Sequence, residues 1–314
     1  MAYEIIITKD ENGLKPKNFL KKKLDLPFFK IINYIRDKRI TLNKKKIKAE
    51  DILREGDIIK IWKDEIKLRE QKLYQARAKN LGIPIIYEDE NLLVLNKLSG
   101  IIVQGAQDNE KSLSLHLAYL KQKNNDISDF EYFHGHRLDK DTSGVLICAK
   151  NRSTLRDLNQ LFRQRETKKF YQTLVIGKPE NEKHLIEVYM KRNGPDTRQK
   201  MLICSKNEND SHLSISKYKT IETINHNGQI FSLLEVEIKT GLTHQIRVHM
   251  KSLKTPVFGD KMYGNSIINN EYSSKLNRQF LHAKHISFKL NGRNYNFEAP
   301  LMEDLNSFLD YLKN

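Results

Sequence analysis

Short apolar runs separated by polar turns dominate the chain from residue 83 onward. The runs at 84–87 and 92–96 flank a polar turn and predict paired strands. The run at 145–149 carries no polar interruption and predicts a buried strand. Further strands are predicted at 170–176, 184–190, 213–224, 229–239 and, as a pair, within 284–299.

Helical spacing of apolar residues is rarer. It predicts helices at 113–121, 153–165 and 243–253, and a terminal helix from Met302. Thr243 would be the N-cap of the third of these helices. Strands in succession with few helices indicate an α+β domain built on an antiparallel sheet. We therefore predict one large α+β domain over residues 83–314.

The first 62 residues form a different pattern. Apolar residues recur at helical spacing in two short stretches, near Phe19 and near Ile31, and strands are predicted at 39–43 and 56–62. This segment is predicted to be a small, basic α+β domain. Residues 63–82 are strongly charged, and the pattern fits either an exposed connecting helix or a linker.

Charge narrows the choice of partners. The 314 residues carry a formal net charge of +16, and residues 1–62 contain 16 Lys and Arg against 9 Asp and Glu. This balance favours a polyanionic partner, and RNA is the one we predict for the N-terminal domain. Lys, Ile and Asn are frequent throughout the chain, so a general bias in composition is the alternative explanation.

The cysteines and the apolar runs indicate the cellular compartment of the protein. Cys148 and Cys204 lie far apart and form no CxxC pair, so neither a disulfide framework nor a zinc site is predicted. No apolar run approaches the length of a membrane span, and the first residues do not resemble a signal peptide. We expect a cytoplasmic protein with no membrane partner.

The most informative segment is 136–144, HRLDKDTSG, directly before the predicted buried strand. It places the Asp139 carboxylate between Arg137 and a Thr-Ser-Gly turn. Burial disfavours an ionised acid unless an opposite charge lies close, so a cationic partner for Asp139 is expected. Asp141 also allows a two-carboxylate glycosidase, an alternative weakened because both acids belong to one short loop.

This segment resembles the HRLD-x-x-TSG loop of the RluA/RluC family of RNA pseudouridine synthases. Residues 240–249, TGLTHQIRVH, resemble the family's GRTHQIRxH segment, which implies that Arg247 pairs with the catalytic Asp139. Leu242 stands where the family usually has arginine, which removes one positive charge and leaves substrate affinity or loop packing in doubt. Residues 169–177, KFYQTLVIG, imply that Tyr171 is the active-site tyrosine that stacks on the uracil.

The resemblance implies further site residues. Arg137 would help to flip the target uridine out of its stack. Substrate binding would involve His136, Thr142, His244 and Gln245, although His136 is equally well explained as an ordinary loop histidine. Weaker similarities occur at 96–100, at 258–264 and in the closing strands.

Residues 1–62 resemble the RNA-binding domain first described in small-subunit ribosomal protein S-four. For the catalytic domain the resemblance implies a mixed, mainly antiparallel sheet with a central cleft. The reaction breaks the C1′–N1 bond of uridine and rejoins the uracil through C5. Asp139 could act as a nucleophile or as a base, and the sequence leaves both open.

Large-subunit ribosomal RNA is the expected substrate. Transfer RNA is the alternative substrate, and a non-catalytic RNA-binding or ribosome-assembly factor is the alternative function. The reaction is redox-neutral, so no cofactor is expected. The histidine spacings lack the cysteine partners or HExxH pattern of a metal site, so no metal is expected either. The oligomeric state is open, with a monomer favoured.

Overall fold

The computed structural model describes residues 2–24, 26–62, 78–104, 111–126, 128, 130–194 and 200–314. Contacts divide the chain into two units. One unit comprises Met1–Lys79, Leu117–Tyr132 and Asn151–Ser153, and the other comprises Asn80–His116, Phe133–Lys150 and Thr154–Asn314. Of the charged segment at 63–82, for which a linker or helix was predicted, residues 63–77 lie outside the described residues.

The first unit contains a four-stranded antiparallel sheet in the order β1-β4-β2-β3. Its strands are β1 (Ala2–Ile6), β2 (Ile40–Leu42), β3 (Lys45–Lys46) and β4 (Ile58–Trp62). Two helices accompany them, α1 (Pro16–Lys23) and α2 (Phe28–Arg36). The strands β1 and β3 were not predicted from the sequence.

The local sequence explains these elements. Pro16 occupies the first position of α1, where its missing N–H costs no helical hydrogen bond. Ile31 and Ile35 lie four residues apart on α2 and are both buried, so one helix face turns inward. They join a core of aliphatic and aromatic side chains: Ile7, Phe19, Leu20, Leu24, Ile31, Ile35, Ile40, Ile47, Leu53, Ile59 and Ile61.

The second unit is built on an eleven-stranded sheet. Its main path is β11-β10-β12-β13-β9-β14-β8-β6-β5, with β15 paired to β14 and β7 paired to β8. The strands are β5 (Ile85–Glu88), β6 (Leu92–Lys97), β7 (Phe133–His134), β8 (Ser143–Ala149), β9 (Thr167–Ile176), β10 (Lys183–Arg192), β11 (Met201–Cys204), β12 (His212–His226), β13 (Gln229–Ile238), β14 (Leu281–Leu290) and β15 (Arg293–Glu298).

The helices are α3 (Leu113–Lys123), α4 (Arg152–Gln164), α5 (Gln245–Ser252), α6 (Ser266–Glu271) and α7 (Glu303–Lys313). None of the helices in the described part of the chain combines the length and apolar composition that a bilayer crossing requires. The predicted mixed, mainly antiparallel α+β architecture is confirmed for the large sheet. The strands β7 and β11 and the helix α6 were not predicted.

One parallel pairing breaks the antiparallel pattern. Strand β8 runs parallel to β14, with Ser143 opposite His282 and Gly144 opposite Ala283. Gly144 has a φ of 115°, and a Cβ at this position would lie 2.2 Å from the Ala283 carbonyl oxygen. Only glycine allows this approach, so the glycine of the Thr-Ser-Gly turn fixes where the loop before it enters the sheet.

Two apolar clusters fix the sheet. Helix α7 contributes Phe308, which stacks on Phe258 with ring centroids 4.5 Å apart, and Leu305, which is fully buried. Helix α4 contributes Leu158 to a cluster that includes Val145 of β8. Fully burying each such side chain contributes about 1.5–3 kcal/mol. The two clusters therefore pack Phe258 against α7 and Val145 of β8 against α4.

The predicted start of the third helix is wrong. Helix α5 begins at Gln245, and its N-cap is His244 in the left-handed conformation, with φ 56° and ψ 19°. Thr243 is therefore not the cap. The Gln245 side-chain oxygen accepts the Leu242 N–H at 3.1 Å, so a residue in the first turn of the helix holds the chain that leads into it.

Candidate active site

The loop that carries Asp139 is fixed by hydrogen bonds to its backbone. The Lys97 ammonium group donates to the Lys140 carbonyl at 2.9 Å, and Gly100 N–H donates to the same oxygen at 2.9 Å. Arg278 Nη1 lies 3.3 Å from the Asp141 carbonyl oxygen. The Asp139 carbonyl itself accepts the Thr142 N–H at 3.1 Å, which closes a tight turn. The loop geometry therefore exists before any ligand binds.

Lys97 is the buried centre of this support. Its ammonium group donates to three carbonyl oxygens, those of Leu98, Ile101 and Lys140, at 2.9–3.1 Å. Burial lowers the pKa of Lys97 to about 7, and the negative charges of Asp141 and Asp139 oppose that shift. Through these three hydrogen bonds Lys97 holds the backbone beneath the loop.

Asp139 faces a guanidinium group from a distant part of the chain. Arg247, on α5, donates from Nη1 to Asp139 Oδ2 at 3.0 Å. Its Nε and Nη2 atoms donate to the two carboxylate oxygens of Asp260 at 2.6 and 2.9 Å. Arg247 therefore bridges two carboxylates, one at the site and one buried behind it.

Asp260 is the buried member of this group. Its side chain has no solvent exposure, and its Oδ1 also accepts the N–H groups of Met262 and Tyr263. Burial alone would raise the pKa of Asp260, but the hydrogen bond and charge of Arg247 lower it below its ordinary value. Burial alone would lower the pKa of Arg247, and Asp260 followed by Asp139 raises it. Arg247 and Asp260 are thus both charged at neutral pH.

His244 lies on the other side of Asp139. Its Nε2 atom is 3.9 Å from Asp139 Oδ2, and its Nδ1 atom is 3.0 Å from the Tyr263 hydroxyl oxygen. That oxygen accepts the Met201 N–H at 2.7 Å. The Tyr263 ring also packs against Arg247, whose guanidinium carbon is 5.1 Å from the ring centroid. Tyr263 therefore contacts both groups that flank Asp139.

A cavity of about 530 Å³ opens above these residues. Of the predicted site residues, Asp139, Arg137, His244 and Arg247 line it. The other charged lining residues are Lys140, Asp141, Lys261 and Arg278, and the apolar part of the wall is formed by Ile102, Val103, Leu138 and Met262. The volume is in the range of small-molecule sites, and the cationic lining suits a phosphodiester ligand.

Arg137 is exposed at this cavity. Its Nη1 atom donates to the Gln104 side-chain oxygen at 3.2 Å. Gln104 also lines the cavity. An exposed guanidinium with one neutral partner can move to another acceptor at little cost, so the position is compatible with the predicted contact to a displaced nucleotide.

Tyr171 lies on β9 and does not belong to the cavity lining as described. It is buried, and its backbone pairs with Val236 and Ala283. Burial raises the pKa of Tyr171, and the Asp139 charge raises it further. The group therefore stays a protonated phenol at neutral pH.

The side chains of three predicted substrate-binding residues form hydrogen bonds with other groups of the protein. His136 Nε2 accepts the Ile147 N–H at 3.1 Å, and burial lowers the pKa of His136 to about 3. Thr142 Oγ1 accepts from Gln279 at 2.7 Å. Gln245 uses both ends of its amide, accepting from Thr240 at 2.7 Å and donating to the Ile215 carbonyl and Ser216 at 2.9 Å. None of the three lines the cavity, so their contacts favour structural roles over direct substrate binding.

Sequence reasoning missed several residues that build the site. Lys97 and Asp260 lie in the segments 96–100 and 258–264. The weaker similarity of these segments to the family implies no role for either residue. A lysine at the end of an apolar strand was the available signal for Lys97. The contact of Arg278 with the Asp139 loop has no signal in the sequence, because Arg278 and Asp141 are 137 residues apart along the chain.

Leu242 occupies the position where arginine was expected. It packs against an apolar cluster of Met190, Met201, Val248 and Tyr263. The leucine therefore supports the wall that carries Tyr263. Packing accounts for this residue, and the cavity keeps its other cationic groups.

The sequence is similar to known proteins over nearly its whole length. The family model described as RNA pseudouridylate synthase matches residues 91–252. "Ribosomal large subunit pseudouridine synthase C" of Buchnera aphidicola subsp. Acyrthosiphon pisum is 33% identical over 98% of this chain and 96% of its own. The protein of the same name from Escherichia coli K12 is 31% identical over 99% of this chain and 96% of its own.

Solved structures agree on the fold. Human RNA pseudouridylate synthase domain containing 1 superposes with a TM-score of 0.58 at 23% identity, covering 73% of this chain and 94% of its own. Human RNA pseudouridylate synthase domain containing 4 gives a TM-score of 0.59 at 21% identity. The family model and the near full-length relatives together show that this chain belongs to the RluA/RluC family of RNA pseudouridine synthases.

Proposed function

We propose that this isomerase converts uridines of large-subunit ribosomal RNA to pseudouridine, with Asp139 as the catalytic carboxylate. The observation that carries the proposal is the Asp139–Arg247–Asp260 group beside a cationic cavity. The ribosomal substrate is supported by the names of relatives that match nearly the whole chain. We place the enzyme in the cytoplasm, where bacterial ribosomal RNA is available.

Asp139 must be ionised to begin the reaction. Arg247 engages its Oδ2 atom, and we assign the other oxygen, Oδ1, to the substrate. Either Oδ1 attacks C1′ as uracil leaves through N1, or Oδ1 removes a sugar proton as uracil leaves through N1. C5 of uracil then bonds to C1′; in the first route the bond between Oδ1 and C1′ breaks, and in the second route the proton returns to the sugar. In both routes the proton on C5 is lost and N1 gains a proton. Arg247 acts by placing its positive charge against the carboxylate in a partly buried position.

Tyr171 and Arg137 take two further roles in the proposal. Tyr171 remains a phenol, so its ring can stack on the uracil while its hydroxyl group donates a hydrogen bond or a proton. Arg137 is exposed at the cavity beside Gln104. There a guanidinium can hold the partner of a uridine that has left its stack. Among the other predicted binding residues, His244 keeps a place in the proposed site.

The N-terminal unit is proposed to anchor RNA. Lys44, Lys45 and Lys46 are exposed at the turn and strand of β3. Trp62 is 51% exposed and carries the Lys60 ammonium group 4.6 Å from its ring centroid. Exposed lysines bind phosphates without reading sequence, and an exposed aromatic ring offers a stacking surface for a base. The proposed domains are residues 1–62 for RNA binding and 83–314 for catalysis.

The test is the Asp139→Asn variant, with Asp157→Asn as its control. Asp157 is a helix carboxylate that accepts a hydrogen bond from Asn291 at 3.4 Å, so the same chemical change is made outside the cavity. We expect Asp139→Asn to abolish pseudouridine formation in large-subunit ribosomal RNA while RNA binding persists. Asp157→Asn should retain activity. Full activity of Asp139→Asn would remove the catalytic assignment.

The substrate is tested separately. Pseudouridines are mapped in cellular RNA with and without the protein, and purified enzyme is assayed on ribosomal and transfer RNA transcripts. We expect sites in the large ribosomal subunit to disappear when the protein is absent. Loss confined to transfer RNA would overturn the substrate assignment and leave the chemistry of Asp139 unaffected.

A further inference from the structure

Tyr263 and His244 form a connected pair beside Asp139 whose use goes beyond charge compensation. Tyr263 is 3% exposed and is held by Met190, Met201 and Val248. Within the described part of the chain its hydroxyl oxygen has two close polar neighbours, the Met201 N–H at 2.7 Å and His244 Nδ1 at 3.0 Å. The positions of the protons on these atoms follow from the contacts.

The backbone N–H of Met201 can only donate. The Tyr263 oxygen therefore accepts that hydrogen bond, and its own proton is available for the remaining neighbour, His244 Nδ1. Burial raises the pKa of Tyr263, so this proton is retained at neutral pH. The Tyr263 hydroxyl group can donate this proton to His244 Nδ1, and a neutral imidazole that accepts at Nδ1 carries its own proton on Nε2.

The surroundings of His244 favour the neutral ring. Burial lowers the pKa of His244, and the charges that face it are Asp139 and Asp260, which raise the pKa, and Arg247 and Arg137, which lower it. The ring stands nearly perpendicular to Tyr263, with centroids 5.5 Å apart at 73°. Its position is also fixed by the left-handed backbone at residue 244. Both the ring and its orientation are thus set by the fold.

The Nε2 atom points to the reaction site. It lies 3.9 Å from Asp139 Oδ2, which is too long for a direct hydrogen bond. His244 lines the cavity. We propose that Tyr263 is a positioning residue that fixes the tautomer of His244, so that Nε2–H is presented as a neutral donor to an oxygen of the target nucleotide beside Asp139. This inference rests on the proposed active site.

A donor that is neutral suits this place. A second cation beside Asp139 would compete with Arg247 for the carboxylate. It would weaken the carboxylate both as a nucleophile towards the sugar and as a base that removes a sugar proton. A neutral N–H can orient a ribose or uracil oxygen and leave the carboxylate charge intact. The pair therefore supplies orientation, while Arg247 supplies charge.

The direct test is the tautomer of His244 in the free enzyme. The full chain is labelled with ¹⁵N-histidine, and the His244 signals are assigned by their loss in His244→Gln. We expect the Nε2–H tautomer in the wild-type enzyme and a shift away from it in Tyr263→Phe, which keeps the ring and removes the hydroxyl group. A wild-type Nδ1–H tautomer, or an unchanged signal in Tyr263→Phe, overturns the inference. Neither result depends on catalysis, so it is distinguishable from failure of the proposed function.

The kinetic test is a double-mutant cycle. Tyr263→Phe should lower kcat on the order of 10-fold with KM nearly unchanged, less than the 10²–10³ expected when an essential donor is removed outright. In His244→Gln the amide supplies an N–H near the Nε2 position without help from Tyr263. Adding Tyr263→Phe to that variant should therefore change kcat less than about twofold. Equal losses in both backgrounds would mean that Tyr263 only supports the fold and would overturn the inference.

Tyr218→Phe is the matched control. Tyr218 is 2% exposed, and its hydroxyl group donates to the Asn181 carbonyl at 3.0 Å, outside the cavity. This variant also loses one hydroxyl hydrogen bond from a buried ring. We expect kcat and the His244 tautomer to stay at wild-type values in Tyr218→Phe. A loss of kcat equal to that of Tyr263→Phe would count as a general effect of buried hydroxyl removal and contradict the proposal.

Discussion

The buried Asp260 carboxylate offers a sharp test of how the site is held together. In Asp260→Asn the side-chain oxygen can still accept from Met262, Tyr263 and Arg247 Nη2. The amide nitrogen, however, would face Arg247 Nε, which now donates to Asp260 Oδ2 at 2.6 Å. The variant therefore replaces one charge-assisted hydrogen bond by a contact between two donors, and it leaves a buried guanidinium with only Asp139 as its anionic partner.

The expected size follows from burial. Removing one partner of a buried ion pair costs about 3–5 kcal/mol. For a domain of roughly 200 residues each kcal/mol lowers Tm by about 2–4 °C, so Asp260→Asn should lose roughly 6–20 °C. Isomerisation should also fall, because Arg247 loses the contact that aims it at Asp139. The measurements are thermal unfolding by circular dichroism and initial rates of pseudouridine formation.

Asp304→Asn is the control for geometry. Asp304 pairs with Arg278 through two hydrogen bonds of 2.6 and 2.8 Å, but its side chain is 46% exposed. Because only the Arg278 side of this pair is buried, at 8% exposure, while both sides of the Arg247–Asp260 pair are, Asp304→Asn should lower Tm by less than Asp260→Asn. Equal losses in Asp260→Asn and Asp304→Asn would refute the argument that burial sets the cost.

The pH dependence has a definite sign. Arg247 lowers the folded-state pKa of Asp260 below its ordinary value. Such a group contributes stability that is present above the unfolded pKa of about 4 and is lost as pH falls through the folded value. The gap in Tm between wild type and Asp260→Asn should thus be constant near neutral pH and shrink below about pH 4. A gap that widens in acid would contradict this assignment.

Other expected outcomes follow from the same contacts. Gly144→Ala should cost several kcal/mol, because its Cβ would lie 2.2 Å from the Ala283 carbonyl oxygen, whereas Gly228→Ala has open space and should cost about 1 kcal/mol in urea unfolding. Arg137→Ala should slow isomerisation more on folded RNA than on a short single strand, and equal slowing would argue against a role in base flipping. Replacing all three lysines at 44–46 by glutamine should weaken RNA binding and reduce its salt slope by about 3, measured by fluorescence titration; an unchanged slope would remove them from the RNA contact.

The sequence made part of this site predictable for a physical reason. A buried acid requires a cation, and the motifs around Asp139 and Arg247 implied that pairing, which the structure shows at 3.0 Å. Alternation of apolar residues likewise identified most strands of the large sheet. These are local signals. They can be interpreted from the sequence because the burial of a strand, or of a charged group, constrains the residues of that segment itself.

The rest depends on contacts between distant segments. His136 and Gln245 looked like ligand-binding residues, but the backbone groups that satisfy them, at Ile147 and Ile215, become neighbours only in the folded sheet. The N-cap of α5 is His244 in a left-handed conformation and not Thr243, a backbone conformation that the spacing of apolar residues does not indicate. The second anion, Asp260, could not be identified without knowing that its segment returns beneath Arg247.

The ties under the Asp139 loop determine which partner must adapt during binding. Lys97, Gly100 and Arg278 already occupy the carbonyl groups of Lys140 and Asp141, so the entropy of ordering this segment is lost when the polypeptide folds. The carboxylate is then already in place when a uridine binds, and the RNA is the partner that must change conformation. Substrates whose target nucleotide is already unstacked should consequently reach the chemical step with the smallest free-energy penalty.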